Sequence, residues 1–175
     1  TGLGGGSADA SFTLKMINDY FCLNLNTEAL KRYASLLGAD CPFFIDNKPS
    51  YATGKGDVLS PLNVDISQYH IVLINPGCSV STKEAYENVF PAKPEFNVKN
   101  LENLPVEEWK NHVVNDFEKT VFQKYPIIGS LKQLLYKSGA VYASMSGSGS
   151  SVFGLFRSFP KDLYKIIPKG ILFAV

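Results

Sequence analysis

The first ten residues constrain the fold most, because glycine fills four of the five positions from 2 to 6. Glycine takes positive φ angles and lets backbone N–H groups approach a ligand closely. The apolar spacing that follows predicts a helix over residues 7–21. Since a helix N-terminus offers free N–H donors and partial positive charge, loop and helix together predict an anion site, most often for phosphate. The alternative is a flexible glycine-rich terminus.

Ser7 lies at the junction of the glycine loop and the predicted helix. Its hydroxyl either caps the helix or contacts a phosphate or the metal ion of that phosphate. The loop matches neither of two common nucleotide-binding patterns. A P-loop has a lysine directly after its glycines, whereas the first lysine here is Lys15. A dinucleotide fingerprint follows a strand, and no strand precedes this loop in the chain.

Composition excludes several classes of protein. The chain has 175 residues, 45% of them hydrophobic and 19% charged, which is typical of a globular protein with a sizeable core. A net charge of +1 predicts neither nucleic acid nor an anionic membrane as partner. No apolar run reaches the roughly 20 residues of a membrane span. The three widely spaced cysteines predict a reducing, cytoplasmic compartment and no metal motif: Cys22, Cys41 and Cys78.

Residues 1–67 predict a loop, two helices and a hairpin. Thr27 is the predicted N-cap of the second helix, which Gly38 ends. The apolar run after position 42 predicts a hairpin over residues 43–53, with its turn at 46–49, and residues 54–57 predict a further turn. Lys55 in that turn either meets a phosphate or is simply solvated. The polar connection over residues 61–67 is the predicted domain boundary.

Asp40 follows Gly38 closely and precedes the predicted apolar strand. A carboxylate in that place is expected to be partly desolvated, which suits it to proton transfer. Alternatively, Asp40 merely caps or turns the chain before Pro42. The residues alone favour this second interpretation.

Residues 68–175 predict strands and helices in alternation. Ser81 and Glu84 form a capping box that opens a helix ending near Phe90. The predicted strands span residues 69–75, 140–144, 152–156 and 171–175. Helical segments are predicted over residues 107–114, 117–124 and 162–167 and in a stretch ended by Gly139, and a long surface loop over residues 91–105.

A second glycine loop, residues 145–151, joins two predicted strands. It carries two glycines and four serines and therefore offers many backbone and hydroxyl donors. Loops of this kind form anion-binding concavities. A flexible hairpin loop is the alternative.

These stretches together resemble the superfamily of small-molecule kinases that includes galactokinase, homoserine kinase, mevalonate kinase and phosphomevalonate kinase (GHMP kinases). Residues 2–10 resemble its second, phosphate-binding motif, and residues 145–151 its third. The triple glycine and residues 37–44 resemble the branch that acts on 4-diphosphocytidyl-2-C-methyl-D-erythritol in non-mevalonate isoprenoid precursor biosynthesis. Further segments similar to that branch are residues 51–57, 75–82 and 115–118.

The resemblance implies ATP-dependent phosphorylation of the 2-hydroxyl of that small-molecule substrate, with Mg²⁺. Asp40 matches the family's catalytic aspartate and would accept or orient the hydroxyl proton, which reverses the local interpretation. The ATP phosphates would be held by Gly2, Leu3, Gly4, Gly5, Gly6, Ser7 and Ala8, with Ser7 also near the metal. The substrate site would be lined by Thr82, Gly147, Ser148 and Gly149.

The implied fold class is α+β, in two domains with the active site in the cleft between them. Residues 1–67 would be the remainder of an N-terminal ATP-binding domain truncated at its start, and residues 68–175 the C-terminal GHMP-kinase domain. A monomer or a homodimer is expected.

Two alternatives remain open at this point. One is a sister kinase that acts on diphosphomevalonate or homoserine. The other is an inactive, non-catalytic fragment, because the family's N-terminal lysine and cytidine-binding residues are not in this sequence.

Overall fold

The computed structural model describes residues 2–87, 89, 94–167 and 172–174. The chain divides into two compact units. The first unit is Gly4–Val64, and the second begins at Asp65 and includes Gly2 and Leu3. Helices and antiparallel strands occur in both units, which confirms the predicted α+β class.

Three helices and a hairpin form the first unit. They are α1 (Gly5–Tyr20), α2 (Thr27–Leu37), α3 (Cys41–Asp46), β1 (Ser50–Thr53) and β2 (Val58–Pro61). Its core packs α2 against α3 through Leu30, Ala34, Cys41 and Ile45. The buried hydroxyl of Ser11 in α1 donates to the Cys41 carbonyl at 2.7 Å. This bond ties α1 to the start of α3.

The strand predicted after position 42 is wrong, because residues 41–46 form α3. Pro42 lies in the first turn of α3, where its fixed φ suits a helix and its missing N–H costs nothing. Cys41 and Ile45 are one helical turn apart and are buried on the same side. The hairpin begins instead at Ser50, and its turn is the predicted turn at residues 54–57.

Two helix starts also differ from the prediction. Asn26, not Thr27, is the N-cap of α2, and its side-chain oxygen accepts from the Ala29 N–H at 2.9 Å. Helix α1 begins at Gly5 rather than Ser7. Helix α2 ends before Gly38 as predicted, with the glycine in extended backbone at φ 174°.

A four-stranded antiparallel sheet in the order β4-β5-β3-β6 organises the second unit. Its strands are β3 (His70–Ile74), β4 (Tyr142–Met145), β5 (Val152–Phe156) and β6 (Leu172–Ala174). Around it lie α4 (Thr82–Glu87), α5 (Trp109–His112), α6 (Phe117–Lys124), α7 (Pro126–Lys137) and α8 (Leu163–Ile166). Short 3-10 helices span Val98–Asn103 and Val106–Glu108, the first within the predicted long loop.

The core of this unit lies between α7 and the central strands. Val72 and Ile74 from β3 meet Ile128 and Leu135 from α7, all fully buried. The predicted strands agree with the structure to within two residues at each described end. The predicted helix end at Phe90, part of the predicted loop and the ends of the last predicted strand lie outside the described residues. Among the described helices, none is long and apolar enough to cross a membrane.

Candidate active site

The first glycine loop leads directly into the N-terminus of α1. Gly4 is the N-cap residue at φ 67°, a left-handed conformation that favours glycine. Ala8 donates its N–H to the Gly4 carbonyl at 2.9 Å, so this amide is used within the helix. Helix geometry leaves the N–H groups of Gly5, Gly6 and Ser7 without an intrahelical acceptor.

Nothing in the first turn of α1 competes for those three N–H groups. The helix has no side-chain cap and no acidic residue in its first turn, so capping, one of the two alternatives for the Ser7 hydroxyl, is wrong. Ser7 is the third helical residue. A Cβ added at Gly5 or Gly6 would meet no atom within 4 Å, so the space over both glycines is open. Leu3 is 48% exposed beside them in sequence.

Helix α3 packs against the end of the first glycine loop, at Gly4. A Cβ added at Gly4 would lie 3.1 Å from Cζ of Phe44, which is closer than most real side-chain contacts. Phe44 belongs to α3, the helix that follows Asp40 directly. The same short helix therefore holds Gly4 in place and carries Asp40 at its start.

Asp40 is exposed, so the predicted desolvation of its carboxylate is wrong. The reason is that α3, and not a buried strand, follows it. Asp40 occupies the N-cap position in helical backbone (φ −82°, ψ −16°), and its side chain makes no capping hydrogen bond. Its Oδ1 lies 3.9 Å from the position of a Cβ added at Gly56, in the β1–β2 turn. The sequence pattern did not predict that this turn lies beside Asp40.

The second glycine loop connects β4 to β5 and is held by hydrogen bonds between its own backbone groups. The Ser146 N–H donates to the Ser151 carbonyl at 2.8 Å, and the Gly149 N–H donates to the Ser146 carbonyl at 2.9 Å. Gly147 and Gly149 both have positive φ angles, 53° and 93°. Residues 149–151 are buried. These bonds give the loop a defined conformation.

Gly2 packs against this second loop, within the same compact unit. A Cβ added at Gly2 would lie 2.9 Å from the Gly149 carbonyl oxygen and 3.1 Å from the Ser150 nitrogen. Because both neighbours are backbone atoms, only glycine fits at position 2 without moving the loop. The start of the first glycine motif and the second glycine loop are thus in contact, 147 positions apart in sequence.

The start of α4 lies beside the second loop as well. The Thr82 and Ser148 hydroxyl oxygens are 3.5 Å apart. The Ser150 hydroxyl donates to the Cys78 carbonyl, which fixes the segment before α4 against the loop. Thr82 and Ser148, two of the residues predicted to line a substrate site, are therefore brought together, and Gly147 is exposed next to them.

Sequence reasoning missed the residues that hold this loop from the side of α6. The Asn115 side-chain amide donates to the carbonyl oxygens of Met145 and Gly147, at 2.9 and 2.8 Å. Glu118 accepts a 2.8 Å hydrogen bond from the Met145 N–H. The segment 115–118 stood out in the sequence, but nothing in its pattern indicated which backbone it would contact.

No group of three or more His, Cys, Asp or Glu side chains that could hold a metal ion occurs in the part of the chain that the structure describes. A magnesium ion usually keeps several waters and is held by one or two carboxylates plus substrate phosphates. The glycine-lined start of α1 and the second glycine loop are therefore two candidate anion sites built from backbone donors.

Two family models match the chain. The model "GHMP kinases N terminal domain" matches residues 1–48, and "GHMP kinases C terminal" matches residues 97–164. Together they account for more than half of the chain. They include both glycine loops, Asp40 and the segment 115–118.

Two curated relatives carry the same enzyme name. The 4-diphosphocytidyl-2-C-methyl-D-erythritol kinase of Bacteroides thetaiotaomicron is 53% identical over 155 residues, 89% of this chain and 57% of the relative. The kinase of that name from Cytophaga hutchinsonii is 47% identical over 165 residues, 94% of this chain and 61% of the relative. The chain thus spans about three fifths of the length of these relatives.

Solved structures share the fold. The crystal structure of a 4-(cytidine 5'-diphospho)-2C-methyl-D-erythritol kinase superposes with a TM-score of 0.82 at 28% identity, covering 99% of this chain and 65% of that one. A homoserine kinase from Cytophaga hutchinsonii superposes with a TM-score of 0.59 at 18% identity over the same shares. The second likeness concerns the fold alone.

Proposed function

The chain belongs to the GHMP kinase family, and we propose that it serves in ATP-dependent phosphorylation of the 2-hydroxyl of 4-diphosphocytidyl-2-C-methyl-D-erythritol. This reaction belongs to non-mevalonate isoprenoid precursor biosynthesis. The observation that carries the proposal is the uncapped, glycine-lined N-terminus of α1 in a chain 53% identical to kinases of that name.

The residues of the first loop fit the phosphates of ATP. The N–H groups of Gly5, Gly6 and Ser7 are free within the helix, and no carboxylate stands in the first turn to repel an anion. The open space over Gly5 and Gly6 lets phosphate oxygens approach the backbone closely. Gly2 and Leu3 lead into this turn, and Gly4 shapes it. The Ser7 hydroxyl is the proposed contact to the metal ion or to a phosphate.

Asp40 is the proposed catalytic base. Phosphoryl transfer needs positioning and charge neutralisation more than covalent help, and one carboxylate suffices to accept or orient the proton of the attacking hydroxyl. The Asp40 carboxylate makes no capping bond and is exposed, so it is open to a substrate hydroxyl. Bound ATP with Mg²⁺ would supply the phosphoryl group and part of the charge neutralisation.

The second loop and Thr82 are proposed to contact the substrate. The hydroxyls of Thr82 and Ser148 lie together at the surface of the second unit, with Gly147 exposed beside them and Gly149 shaping the turn. Hydroxyl and backbone donors at close quarters suit a phosphate-bearing substrate. The three free cysteines agree with a reducing compartment, and we place the protein in the cytoplasm.

The test is ATP consumption by the full-length protein with four substrates in parallel. These are 4-diphosphocytidyl-2-C-methyl-D-erythritol, mevalonate, diphosphomevalonate and homoserine. We expect turnover of the cytidyl compound alone, with phosphorus NMR placing the new phosphate on its 2-hydroxyl. Turnover of one of the other three, and not of the cytidyl compound, would overturn the proposed substrate and keep the kinase family.

Replacement of Asp40 tests its role separately. Asp40→Asn keeps the shape of the side chain and removes the base, so we expect kcat to fall by about 10²-fold or more. Asp19→Asn, an exposed position near the end of α1, is the matched control and should leave kcat unchanged. Equal kcat values for the two variants would remove Asp40 from the mechanism.

A further inference from the structure

We propose that Asn115 and Glu118 are positioning residues that fix the second glycine loop so that its backbone donors face the substrate; this rests on the proposed function. Asn115 lies in the segment between α5 and α6, and Glu118 lies in the first turn of α6. Neither residue belongs to the proposed ATP or substrate contacts. The inference follows from four hydrogen bonds that join residues 115 and 118 to the end of β4 and the loop, and from one ion pair that joins Glu118 to α7.

Asn115 holds two carbonyl groups of the loop with one side-chain amide. Its Nδ2 donates to the Met145 oxygen at 2.9 Å and to the Gly147 oxygen at 2.8 Å. Its Oδ1 accepts from the Phe117 N–H at 3.0 Å, which fixes the side-chain plane and starts α6. The Asn115 side chain is therefore fixed by the start of α6 through its oxygen, and it binds the loop through its nitrogen.

The carbonyl at position 147 sets the direction of the next N–H group. The peptide between Gly147 and Ser148 is trans, and in a trans peptide the C=O and N–H bonds point in opposite directions. Holding the Gly147 oxygen toward Asn115 therefore aims the Ser148 N–H to the opposite side. Ser148 is the residue whose hydroxyl lies next to Thr82. Asn115 thus orients a backbone donor for an anion.

Glu118 fixes the same loop where it begins, at the end of β4. It is 8% exposed, and its Oε1 accepts from the Met145 N–H at 2.8 Å and from the Ser144 hydroxyl at 3.2 Å. Its Oε2 pairs with Lys132 of α7 at 2.5 Å. Both polar groups of the Met145 backbone are therefore bound by the segment 115–118, the carbonyl by Asn115 and the amide by Glu118.

The variant Asn115→Asp separates the two tasks of Asn115. An aspartate keeps the acceptor for the Phe117 N–H, so the start of α6 is retained, but it has no donor for the loop carbonyls. Asn97→Asp is the matched control, because Asn97 accepts from the Lys99 N–H at 3.1 Å at the start of a 3-10 helix in the same way.

Hydrogen exchange tests the clamp, meaning the two hydrogen bonds from Asn115 to the loop carbonyls, independently of catalysis. In Asn115→Asp we expect the amides of Ser146 and Gly149 to exchange about tenfold faster or more, because both hydrogen bonds from Asn115 to the loop carbonyls are lost, with the β3 amides unchanged. In Asn97→Asp the loop amides should exchange as in the wild type. Unchanged loop exchange in Asn115→Asp would overturn the clamp, whether or not the protein phosphorylates the proposed substrate.

Steady-state kinetics test the consequence for the reaction. We expect Asn115→Asp to lower kcat by about 10²-fold with little change in KM, since misplacement of a donor by about 1 Å has that effect. Glu118→Gln retains an acceptor for the Met145 N–H and should keep most of kcat, whereas Glu118→Ala should lose it. Wild-type kcat in Asn115→Asp despite faster loop exchange would overturn the positioning role. A wild-type protein that turns over none of the substrates would refute the proposed function, and loop exchange would still decide the clamp.

Discussion

Two glycines of the second loop provide a matched pair for testing why the loop needs glycine. Gly147 has φ 53°, and an added Cβ would meet no atom within 4 Å. Alanine there should cost only the left-handed backbone preference, about 1 kcal/mol. Gly149 has φ 93°, and an added Cβ would lie 2.8 Å from Met145 Sδ and 3.6 Å from Val80 Cγ2.

The expected cost at Gly149 combines strain and overpacking. Its φ lies outside the usual left-handed region, which costs about 1–3 kcal/mol for alanine. Met145 is 2% exposed, so its side chain can shift only by repacking against the buried residues around it. Overpacking adds about 1–3 kcal/mol. We therefore expect Gly149→Ala to destabilise the second unit by about 2–6 kcal/mol, against about 1 kcal/mol for Gly147→Ala.

Urea denaturation followed by tryptophan fluorescence measures both variants. Trp109, the single tryptophan of the sequence, is 7% exposed in the second unit and so reports unfolding of the unit that holds the loop. The slope of free energy against urea should stay constant while the midpoint falls, far more for Gly149→Ala. Equal midpoints for the two variants, or a lower midpoint for Gly147→Ala, would refute the steric argument.

Three further outcomes follow from the described contacts. Asn26→Ala should lower the free energy of unfolding by about 1 kcal/mol through loss of the helix cap, and Thr27→Ala should lower it much less. Thermal denaturation that shows the reverse order would support Thr27, the cap predicted from sequence. Lys132→Met should cost about 3–5 kcal/mol in urea denaturation because it leaves Glu118 buried and unpaired, and a loss below about 1 kcal/mol would argue against that pair. Burial raises the pKa of Tyr142 to about 12. Since the unfolded state releases this proton near pH 10, unfolding free energy should fall by about 2 kcal/mol from pH 10 to 12, and a Tyr142→Phe variant with the same fall would exclude this tyrosine as the cause.

Periodic patterns predicted most helices and strands, because burial on one face imposes a spacing that can be read locally. Strand β5 and helix α6 have the bounds that the pattern indicated. The strand predicted from the short apolar run at residues 43–45 was wrong, because a run of that length fits a buried strand and a buried helical turn equally well. Pro42 in the first turn and the helical spacing of Cys41 and Ile45 both favour the helix. This preference becomes evident only once Cys41 and Ile45 pack against α2, which the local pattern does not show.

The sequence named candidate site residues, which stay a prediction, but it did not name the contacts that hold them in place. The glycine loops carry local signals, because their chemistry is contained in the residues themselves, whereas Asp40 was proposed as catalytic only from the family resemblance. The contact of Gly2 with the Gly149 carbonyl joins positions 147 apart, and the Asn115 bonds span about 30 positions. Contacts of that range arise from the packing of whole elements, which no local spacing encodes.

The glycines of the first motif fall into two kinds, and the difference bears on function. At Gly2 and Gly4 an added Cβ would collide with neighbouring protein atoms and the φ angles are positive, so packing and backbone conformation both require glycine. Gly5 and Gly6 have neither property. They lie in the first turn of α1 with open space around them, where alanine is the better helix former by up to about 1 kcal/mol.

Folding therefore gives no reason for glycine at positions 5 and 6, and close approach of a ligand to the helix N-terminus is the physical reason that remains. We expect Gly5→Ala and Gly6→Ala to leave stability unchanged or raise it by up to about 1 kcal/mol, and to raise the Kd for ATP, measured by calorimetry. Gly139→Ala, at φ 97° with no atom within 4 Å, is the control that should lower stability without changing ATP affinity. Wild-type ATP affinity in Gly5→Ala and Gly6→Ala would show that the open turn is not where the phosphates bind.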